Sequence, residues 1–425
     1  MSKPILLANI GKPDSHTLEN YRSSGGYEGL RRAVTEMSPA DVIEEVKKAG
    51  LRGRGGAGFP TGVKWGFVPK DSPRPRYFVC NADESEPGTF KDRLLMEQDP
   101  HAVLEGVIIG SYAVGAREAF LYIRGEFAES YRAMASAIDE AKHANLLGKK
   151  ILESSYSLEI HLFRGAGAYI CGEETGLMES IEGKRGHPRL KPPFPAEVGL
   201  FGCPTNINNV ETVANIPLIL RKGAAWYARI GRERNTGPKL YCVSGHVKRP
   251  GVYEAPLGVR LHELIYEHAG GMWREDSKLK AVIPGGSSTP VLRADESDID
   301  MDFDSVAKAG SLLGSAGVIV MDESACMVDS LLNILKFYAH ESCGQCTPCR
   351  EGCNWLVKIV RGIEDGRGKS ADIDLVENVA GNIMGKTICP LGDAAAMPAQ
   401  SFVRKFRHEF EEHVRLKGCP LKGAH

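Results

Sequence analysis

A chain of 425 residues, 42% hydrophobic and 25% charged, has material for two to four packed domains and is too apolar to stay disordered. Its net charge of -1, with no Lys/Arg-rich arm interleaved with aromatics, excludes a nucleic-acid footprint, and no apolar run reaches the ~20 residues that cross a bilayer. Eleven cysteines, one group of them tightly spaced, fit a reducing compartment rather than a secreted disulfide scaffold, and Met1 to Pro13 carries no export signal.

From about Tyr21 to Ala49 the pattern is helical, with Ser38-Pro39-Ala40-Asp41 as a cap and Val42, Ile43 and Val46 as the apolar stripe. A glycine-rich loop runs from Gly50 to Gly62. Beyond it, Arg76 to Cys80 reads as a buried strand, His101 to Val114 as a helix, Ala119 to Ile123 as a strand, Tyr131 to Leu147 as a helix and Leu158 to Phe163 as a strand. This alternation predicts an α/β fold with a largely parallel sheet, which binds ligands outside the carboxyl ends of its strands. Two polar segments fall at such ends, Asn81 to Gly88 and Gly165 to Thr175. Composition changes near Arg232 to Pro238; a hairpin from Lys239 to Pro256 and a short helix from Leu261 to Glu267 then suggest a small ubiquitin-like module. A last strand, Ala316 to Met321, precedes helices from about Met327 onward.

The strongest motif is Cys343-Gly-Gln-Cys346-Thr-Pro-Cys349, followed in a later segment by Cys389-Pro390. Three thiolates spaced by two residues bend round three corners of a cubane, and the fourth corner takes a cysteine from elsewhere in the fold. The spacing points to a 4Fe-4S cluster in preference to a structural four-cysteine zinc site, whose ligands come as two separated pairs. Cys353 extends the run, but no second cluster motif exists to receive its sulfur and Asn354 follows it, so Cys389 is preferred as fourth ligand over Cys353 and Cys419. Cys80, Cys171, Cys203, Cys242, Cys326, Cys353 and Cys419 read as small buried hydrophobes. The histidines are scattered, without a paired His motif or a Cys/His pairing, and no Gly-x-Ser-x-Gly elbow appears.

Gly53-Arg54-Gly55-Gly56-Ala57-Gly58 matches G-x-G-x-x-G as a string, yet a helix and not a strand precedes it, so the ordinary dinucleotide fingerprint fails. Such a run either makes a plain tight turn or lets a phosphate or planar ligand approach the backbone, with Arg54 and Lys64 near for charge. Phe59, Trp65 and Phe67 flank the loop and can stack on a base or fill core. Asn81, Asp83, Glu84 and Glu86, like Glu173 and Glu174 after Gly172, offer acceptors to ribityl or ribose hydroxyls or else favour a helix N-terminus. Together these features describe a nucleotide-like cofactor feeding an electron carrier.

At Gly165-Ala-Gly-Ala-Tyr169-Ile-Cys-Gly172-Glu173-Glu174-Thr175 and Glu341-Ser-Cys343-Gly-Gln-Cys346-Thr-Pro-Cys349-Arg-Glu-Gly352 the chain resembles the flavin-bearing subunit of respiratory NADH:quinone oxidoreductase, complex I, nearly end to end. The resemblance implies a modified Rossmann-like flavin/NADH domain over residues 1–235, a β-grasp module over 236–325 and a helical bundle carrying the iron–sulfur cluster over 326–425. It implies FMN held by Gly53, Gly55, Lys64, Asn81, Asp83, Gly172, Glu173, Asn208 and Asn209, with Arg54, Gly56, Glu84 and Tyr169 in the same binding set. For NADH it points to Phe59, Phe67 and Phe194 around the adenine, and to Glu86 and Glu174 on the nicotinamide side, with no side chain acting as acid or base. Cys343, Cys346, Cys349 and Cys389 carry over as cluster ligands. The implied partners are a thioredoxin-like 2Fe-2S subunit and the large iron–sulfur subunit. The implied location is cytoplasmic, peripheral on the inner membrane through partners, with no direct insertion. The flavin subunit of a soluble NAD(P)-linked hydrogenase or formate dehydrogenase is the nearest rival, and a zinc-stabilised binding scaffold is the non-enzyme alternative.

Overall fold

The computed structural model describes residues 3–421. Four strands, β1 (Tyr77–Ala82), β2 (Glu118–Ile123), β3 (Glu159–Arg164) and β4 (Thr205–Asn209), form a wholly parallel sheet in the order β3-β2-β1-β4. Both faces are covered: Phe78 and Cys80 enter one core while Val79 enters another, which is why β1 reads as an unbroken apolar run. Helix Pro100–Val114 is buried nearly all round. Its Gly106 passes so close to helix Val210–Ala214 that a Cβ would stand 2.0 Å from the Val213 carbonyl oxygen.

Two expected helices have different limits. The Tyr21 to Ala49 stretch is three helices, Leu18–Ser23, Glu28–Glu36 and Pro39–Ala49, because Gly25 turns the chain at φ +84° and the Ser38/Asp41 capping box starts the third. The next, expected over Tyr131 to Leu147, runs Ala128–His143, and Leu146 and Leu147 are buried in the turn beyond it.

A two-stranded ladder, β5 (Gly231–Arg232) and β6 (Asn235–Thr236), leads into a five-stranded sheet. It comprises β7 (Pro238–Gly245), β8 (Gly251–Pro256), β9 (Leu279–Ile283), β10 (Leu292–Arg293) and β11 (Gly317–Asp322), ordered β10-β9-β11-β7-β8. The β7–β8 hairpin is antiparallel and β11 runs parallel beside β7, as in a β-grasp. The short helix expected after the hairpin is a six-residue π-helical turn, Glu263–His268. The remaining described residues make four helices, Met327–Glu341, Thr347–Glu364, Ser370–Ile383 and Leu391–Leu416. Their apolar stripes, such as Leu331, Leu335 and Tyr338 on the first, are buried at helical spacing.

Where the parallel sheet meets the β-grasp sheet, charged groups are sealed from water. Glu211 accepts from Lys239 Nζ at 2.6 Å and Lys91 Nζ at 2.9 Å, and Lys91 also pairs with Asp92 at 2.7 Å. The Glu211 carboxylate takes the Leu240 N–H at 2.9 Å, and Arg54 lies fully buried alongside, donating to the Thr236 and Pro238 carbonyls at 2.8 and 3.0 Å. Burial alone would raise the Glu211 carboxyl; Lys239, Lys91 and Arg54 outweigh it and bring it down to about 2.

Glu211→Gln leaves Lys239 without its carboxylate partner in low dielectric and takes a counter-charge from Lys91 and Arg54, so it should lower the free energy of the unfolding transition by about 3–5 kcal/mol, whereas Glu36→Gln at the exposed Arg31–Glu36 pair should change it by under about 0.5 kcal/mol. Because the folded carboxyl sits below its ordinary value, this stabilisation is present above the usual carboxylate range and is lost as pH falls toward 2. Denaturant melts of both variants across that range check the magnitude and the sign.

Candidate functional site

The carboxyl ends of β1, β3 and β4 converge with the glycine loop. The Thr61 N–H donates to Leu51 O at 2.8 Å and the Gly53 N–H to Phe59 O at 2.9 Å, so residues 53–59 close into a narrow lasso. The Arg54 N–H is anchored on Thr212 Oγ1 at 2.8 Å. At Gly55 a Cβ would stand 2.9 Å from Asn209 Cβ, while at Gly56 it would enter open space, so the loop lies against the β4 end with its outer edge clear for a ligand. Arg54 corrects an expectation: its guanidinium turns away from the loop into the buried charge network and offers no charge to a ligand there. Trp65 is also core, with Nε1 donating to Asn208 Oδ1 at 2.8 Å. Phe59 and Phe67 instead face solvent, 47% and 57% exposed with ring centroids 6.0 Å apart, and Phe194 is 55% exposed.

At the β1 end, Asn81 Nδ2 donates to Gly172 O at 2.8 Å and its Oδ1 accepts the Asp83 N–H at 3.1 Å, tying this end to the segment after β3. The Asp83 carboxylate accepts from Ser85 at 2.9 Å, and burial pushes its carboxyl up to about 7. Glu84 corrects a second expectation. Its carboxylate accepts the N–H groups of Lys91 and Asp92, each at 2.8 Å, and of Arg93 at 3.2 Å, so it caps helix Asp92–Gln98 and does not face a ligand. Glu86 accepts from the Ser288 N–H and the Tyr169 hydroxyl, both at 2.7 Å, and burial raises its carboxyl.

After β3, Glu173 caps helix Glu174–Ile181 through the Thr175 and Gly176 N–H groups at 2.8 and 2.9 Å, and pairs with Lys191 at 3.1 Å. Glu174 lies between Lys64 at 3.0 Å and Lys191 at 2.6 Å; burial opposes its ionisation, but the two ammonium groups hold the carboxyl at about 2. Lys191 carries no signal of its own in the sequence, although it opens the Lys191-Pro-Pro-Phe194 string that presents an expected ring. Asn208 and Asn209 likewise give no periodic signal, and Asn209 caps helix Val210–Ala214 while donating to Asp92 at 2.6 Å. Backbone open at Gly56, amides at Asn81, Asn208 and Asn209, the Lys64 ammonium and exposed rings fit a phosphorylated, hydroxyl-bearing planar cofactor beside a second nucleotide.

The four cysteines come together at one end of the helical bundle. Cys346 is the residue before helix Thr347–Glu364, Cys349 lies in its first turn, Cys343 precedes both, and Cys389 leads into helix Leu391–Leu416. They share an apolar cluster with Ile170 and Cys171 of the segment after β3 and with Val79 and Ile207 of β1 and β4. Ser342 Oγ lies 3.2 Å from Cys349 Sγ, and Cys353, one turn further on, is fully buried with Sγ 4.0 Å from Cys349 Sγ. Four thiols on loops and a helix start, walled by apolar side chains, fit an iron–sulfur cluster by the chemistry of the donor set.

A family model described as the Nuo51 FMN-binding domain matches residues 46–218, one for an SLBB domain matches 239–320, and one described as the NADH-ubiquinone oxidoreductase-F iron-sulfur binding region matches 329–413. The second F subunit of the NADH-quinone oxidoreductases of Rhizobium meliloti (strain 1021) is 54% identical over 421 residues, 99% of this chain and 100% of its own length. The corresponding NADH-quinone oxidoreductase protein of Rickettsia felis is 50% identical over 96% of this chain and 97% of its own, and that of Streptomyces coelicolor 50% identical over 99% and 93%. The crystal structure of an NAD+-reducing NiFe-hydrogenase in the H2-reduced state superimposes with a TM-score of 0.83 at 34% identity over 93% of this chain. This chain spans 65% of that hydrogenase chain, just under two thirds of its length. With at least half of its residues shared along whole relatives, and the strand-end and cysteine regions each inside a matching family model, the chain belongs to the family of NADH-quinone oxidoreductase F subunits.

Proposed function

We propose that the chain oxidises NADH by hydride transfer to FMN and passes the electrons singly to one 4Fe-4S cluster, as the electron-input subunit of an NADH:quinone oxidoreductase. The observation that carries this reading is a shared core: the cluster cysteines pack in one apolar group with the segment that follows β3 and with the buried residues of β1 and β4. Bound FMN supplies a two-electron acceptor that can be reoxidised in single steps, and the cluster supplies the one-electron acceptor those steps need.

The backbone at Gly53, Gly55, Gly56 and Gly172 gives close approach, and Lys64 neutralises phosphate while its bond to Glu174 fixes its position. Asn81, Asp83, Asn208 and Asn209 bind cofactor hydroxyls and ring edges. Phe59, Phe67 and Phe194 cover the adenine. Glu86, Tyr169 and Glu174 frame the nicotinamide side, so that orientation is fixed before reaction and water is excluded. Arg54 and Glu84 serve the site from behind, by holding the loop and the helix that flank it. Cys343, Cys346, Cys349 and Cys389 hold the cluster.

Three units, 1–235, 236–325 and 326–425, carry these roles; the family-model matches support the division. As a member of a larger complex the chain has partner subunits. We assign these as a thioredoxin-like 2Fe-2S subunit and the large iron–sulfur subunit, because one cluster cannot hold both electrons. Among the described residues no helix is long and apolar enough to cross a membrane; we assign the chain to the cytoplasmic face of the inner membrane, held there by those partners. The hydrogenase likeness favours a second reading, service as the flavin subunit of a soluble NAD(P)-linked hydrogenase or formate dehydrogenase.

Anaerobic titration of the purified chain with NADH should bleach the flavin bands and then produce a paramagnetic iron signal; flavin bleaching without that signal contradicts the electron path. Cys389→Ser should lose cluster iron and the signal while retaining FMN, and Cys353→Ser should retain the iron content of the parent, both read by metal analysis and EPR. Glu86→Gln keeps one acceptor oxygen and loses the charge, so it should raise KM for NADH roughly 10-fold, the loss of about one charged hydrogen bond, with flavin content unchanged. Loss of FMN in that variant would place Glu86 at the flavin instead.

A further inference from the structure

At the end of the bundle opposite the cluster cysteines a second group of soft ligands gathers. Cys326 precedes the first bundle helix, Glu364 ends the second, and His413 lies in the last turn of the fourth, with Cys419 just beyond. Cys343 follows the far end of helix Met327–Glu341, whose 15 residues rise about 22 Å, so the two groups are independent sites. In sequence alone Cys326 and Cys419 read as small hydrophobes, with no Cys/His pairing. The fold corrects both points, because helices of unequal length bring distant positions to one end.

Cys326 Sγ lies 3.3 Å from His413 Nε2 and 3.8 Å from the Glu364 carboxylate, and His413 Nε2 is 3.2 Å from the same carboxylate oxygen. With Cys419 included, the four donor atoms all fall within 4.8 Å of one another. A tetrahedral zinc ion with bonds of about 2.0 to 2.3 Å sets its donor atoms roughly 3.3 to 3.8 Å apart, so small side-chain shifts close the shell. The surrounding groups already orient the ligands. His413 Nδ1 donates to the Glu409 carbonyl at 2.7 Å, which leaves the Nε2 lone pair facing the thiol and carboxylate. The Asp329 N–H points at Cys326 Sγ at 3.4 Å, a donor suited to a thiolate. Glu364 and His413 are 4% and 1% exposed, while Cys326 and Cys419 are half-buried and leave a way in for the ion.

We propose that Cys326, Glu364, His413 and Cys419 bind one zinc ion, which fastens the segment after the last helix to the start of the first. Two sulfurs, an imidazole and a carboxylate select a borderline ion over magnesium or calcium, and four protein ligands leave no position for a substrate. The site is structural, and its loss acts on the bundle and not on hydride transfer.

The test uses full-length protein carrying FMN and its cluster, purified without chelator. Elemental analysis should find one zinc per chain beside the cluster iron. Cys419→Ser and His413→Ala should each weaken zinc binding at least about 100-fold, so that washing with a zinc buffer strips it. FMN, cluster iron and the NADH-reduced EPR signal should stay as in the parent, and the thermal midpoint should fall. Cobalt supplied in place of zinc should give a thiolate-to-cobalt absorption band that Cys419→Ser lacks; Cys419 is half-buried, so this variant still reports if His413→Ala fails to fold. Zinc absent from the parent, zinc retained by Cys419→Ser, or zinc found only when Cys343→Ser removes the cluster overturns the proposal. A Cys326–Cys419 disulfide in freshly isolated protein does so equally.

Discussion

The arrangement of the site depends on Glu211 being ionised where no water reaches it. A buried carboxylate is tolerable only with cations and N–H donors at its oxygens, and each group that meets this need comes from a different part of the chain. Lys239 and the Leu240 N–H come from the β-grasp sheet, Lys91 from the start of a helix beyond β1, and Arg54 from the glycine loop. Asp92, paired with Lys91, also receives Asn209 Nδ2 and the Glu211 N–H. The loop, the β4 end and the second sheet are therefore registered against one another by a single desolvated cluster. Arg54, which sits in the glycine loop as if to meet a phosphate, belongs to that cluster instead.

The acidic residues at the strand ends divide by what covers them. Glu84 and Glu173 have N–H groups of a following helix at their oxygens, which hold each in one orientation, and Glu174 has two ammonium groups, which also hold its carboxyl at about 2. Asp83 and Glu86 have neither a following helix nor an ammonium pair at their oxygens, and burial raises both carboxyls, as it raises that of Glu84. The Asp83 carboxyl, pushed up to about 7, responds to the charge of what binds beside it, whereas the Glu174 carboxyl, held at about 2, does not. Identical residue types two positions apart thus serve different ends.

The parallel sheet is legible in the sequence because β1, β2 and β3 are apolar runs separated by helical periodicity, and the cysteine spacing carries its chemistry openly. β4 is not, since Thr205-Asn-Ile-Asn-Asn has one apolar residue and amides are poor strand formers. It is a strand because it pairs with β1 and because Trp65 and Asp92 satisfy Asn208 and Asn209, contacts no local pattern announces. Arg54 misleads for a related reason. A basic residue among glycines suggests a phosphate, but the carbonyls of Thr236 and Pro238 that claim it lie 182 and 184 residues further along the chain. The Cys326–His413 group is hidden because its members sit on three different segments, and only helix length decides that they meet.

Electron transfer between two centres weakens steeply with distance, so what fixes the cluster against the strand ends matters as much as what binds either. Glu86, just after β1, accepts from Tyr169 after β3 and from Ser288 of the β-grasp sheet's loop. Ser287 pairs with Tyr338 at 2.8 Å, and the Tyr169 N–H reaches Glu341 at 3.1 Å, both on the helix that runs into Cys343. Tyr169 also packs edge-on against Phe337 and Tyr338, at 5.1 and 5.9 Å between centroids. These bonds close a ring through all three parts of the molecule, within a few residues of the first cluster cysteine. The β-grasp sheet carries no candidate cofactor ligand among the described residues, yet its Ser287–Ser288 loop is the strut of that ring. Its hydrogen bonds to Glu86 and Tyr338 tie the β1 end to the helix that runs into Cys343.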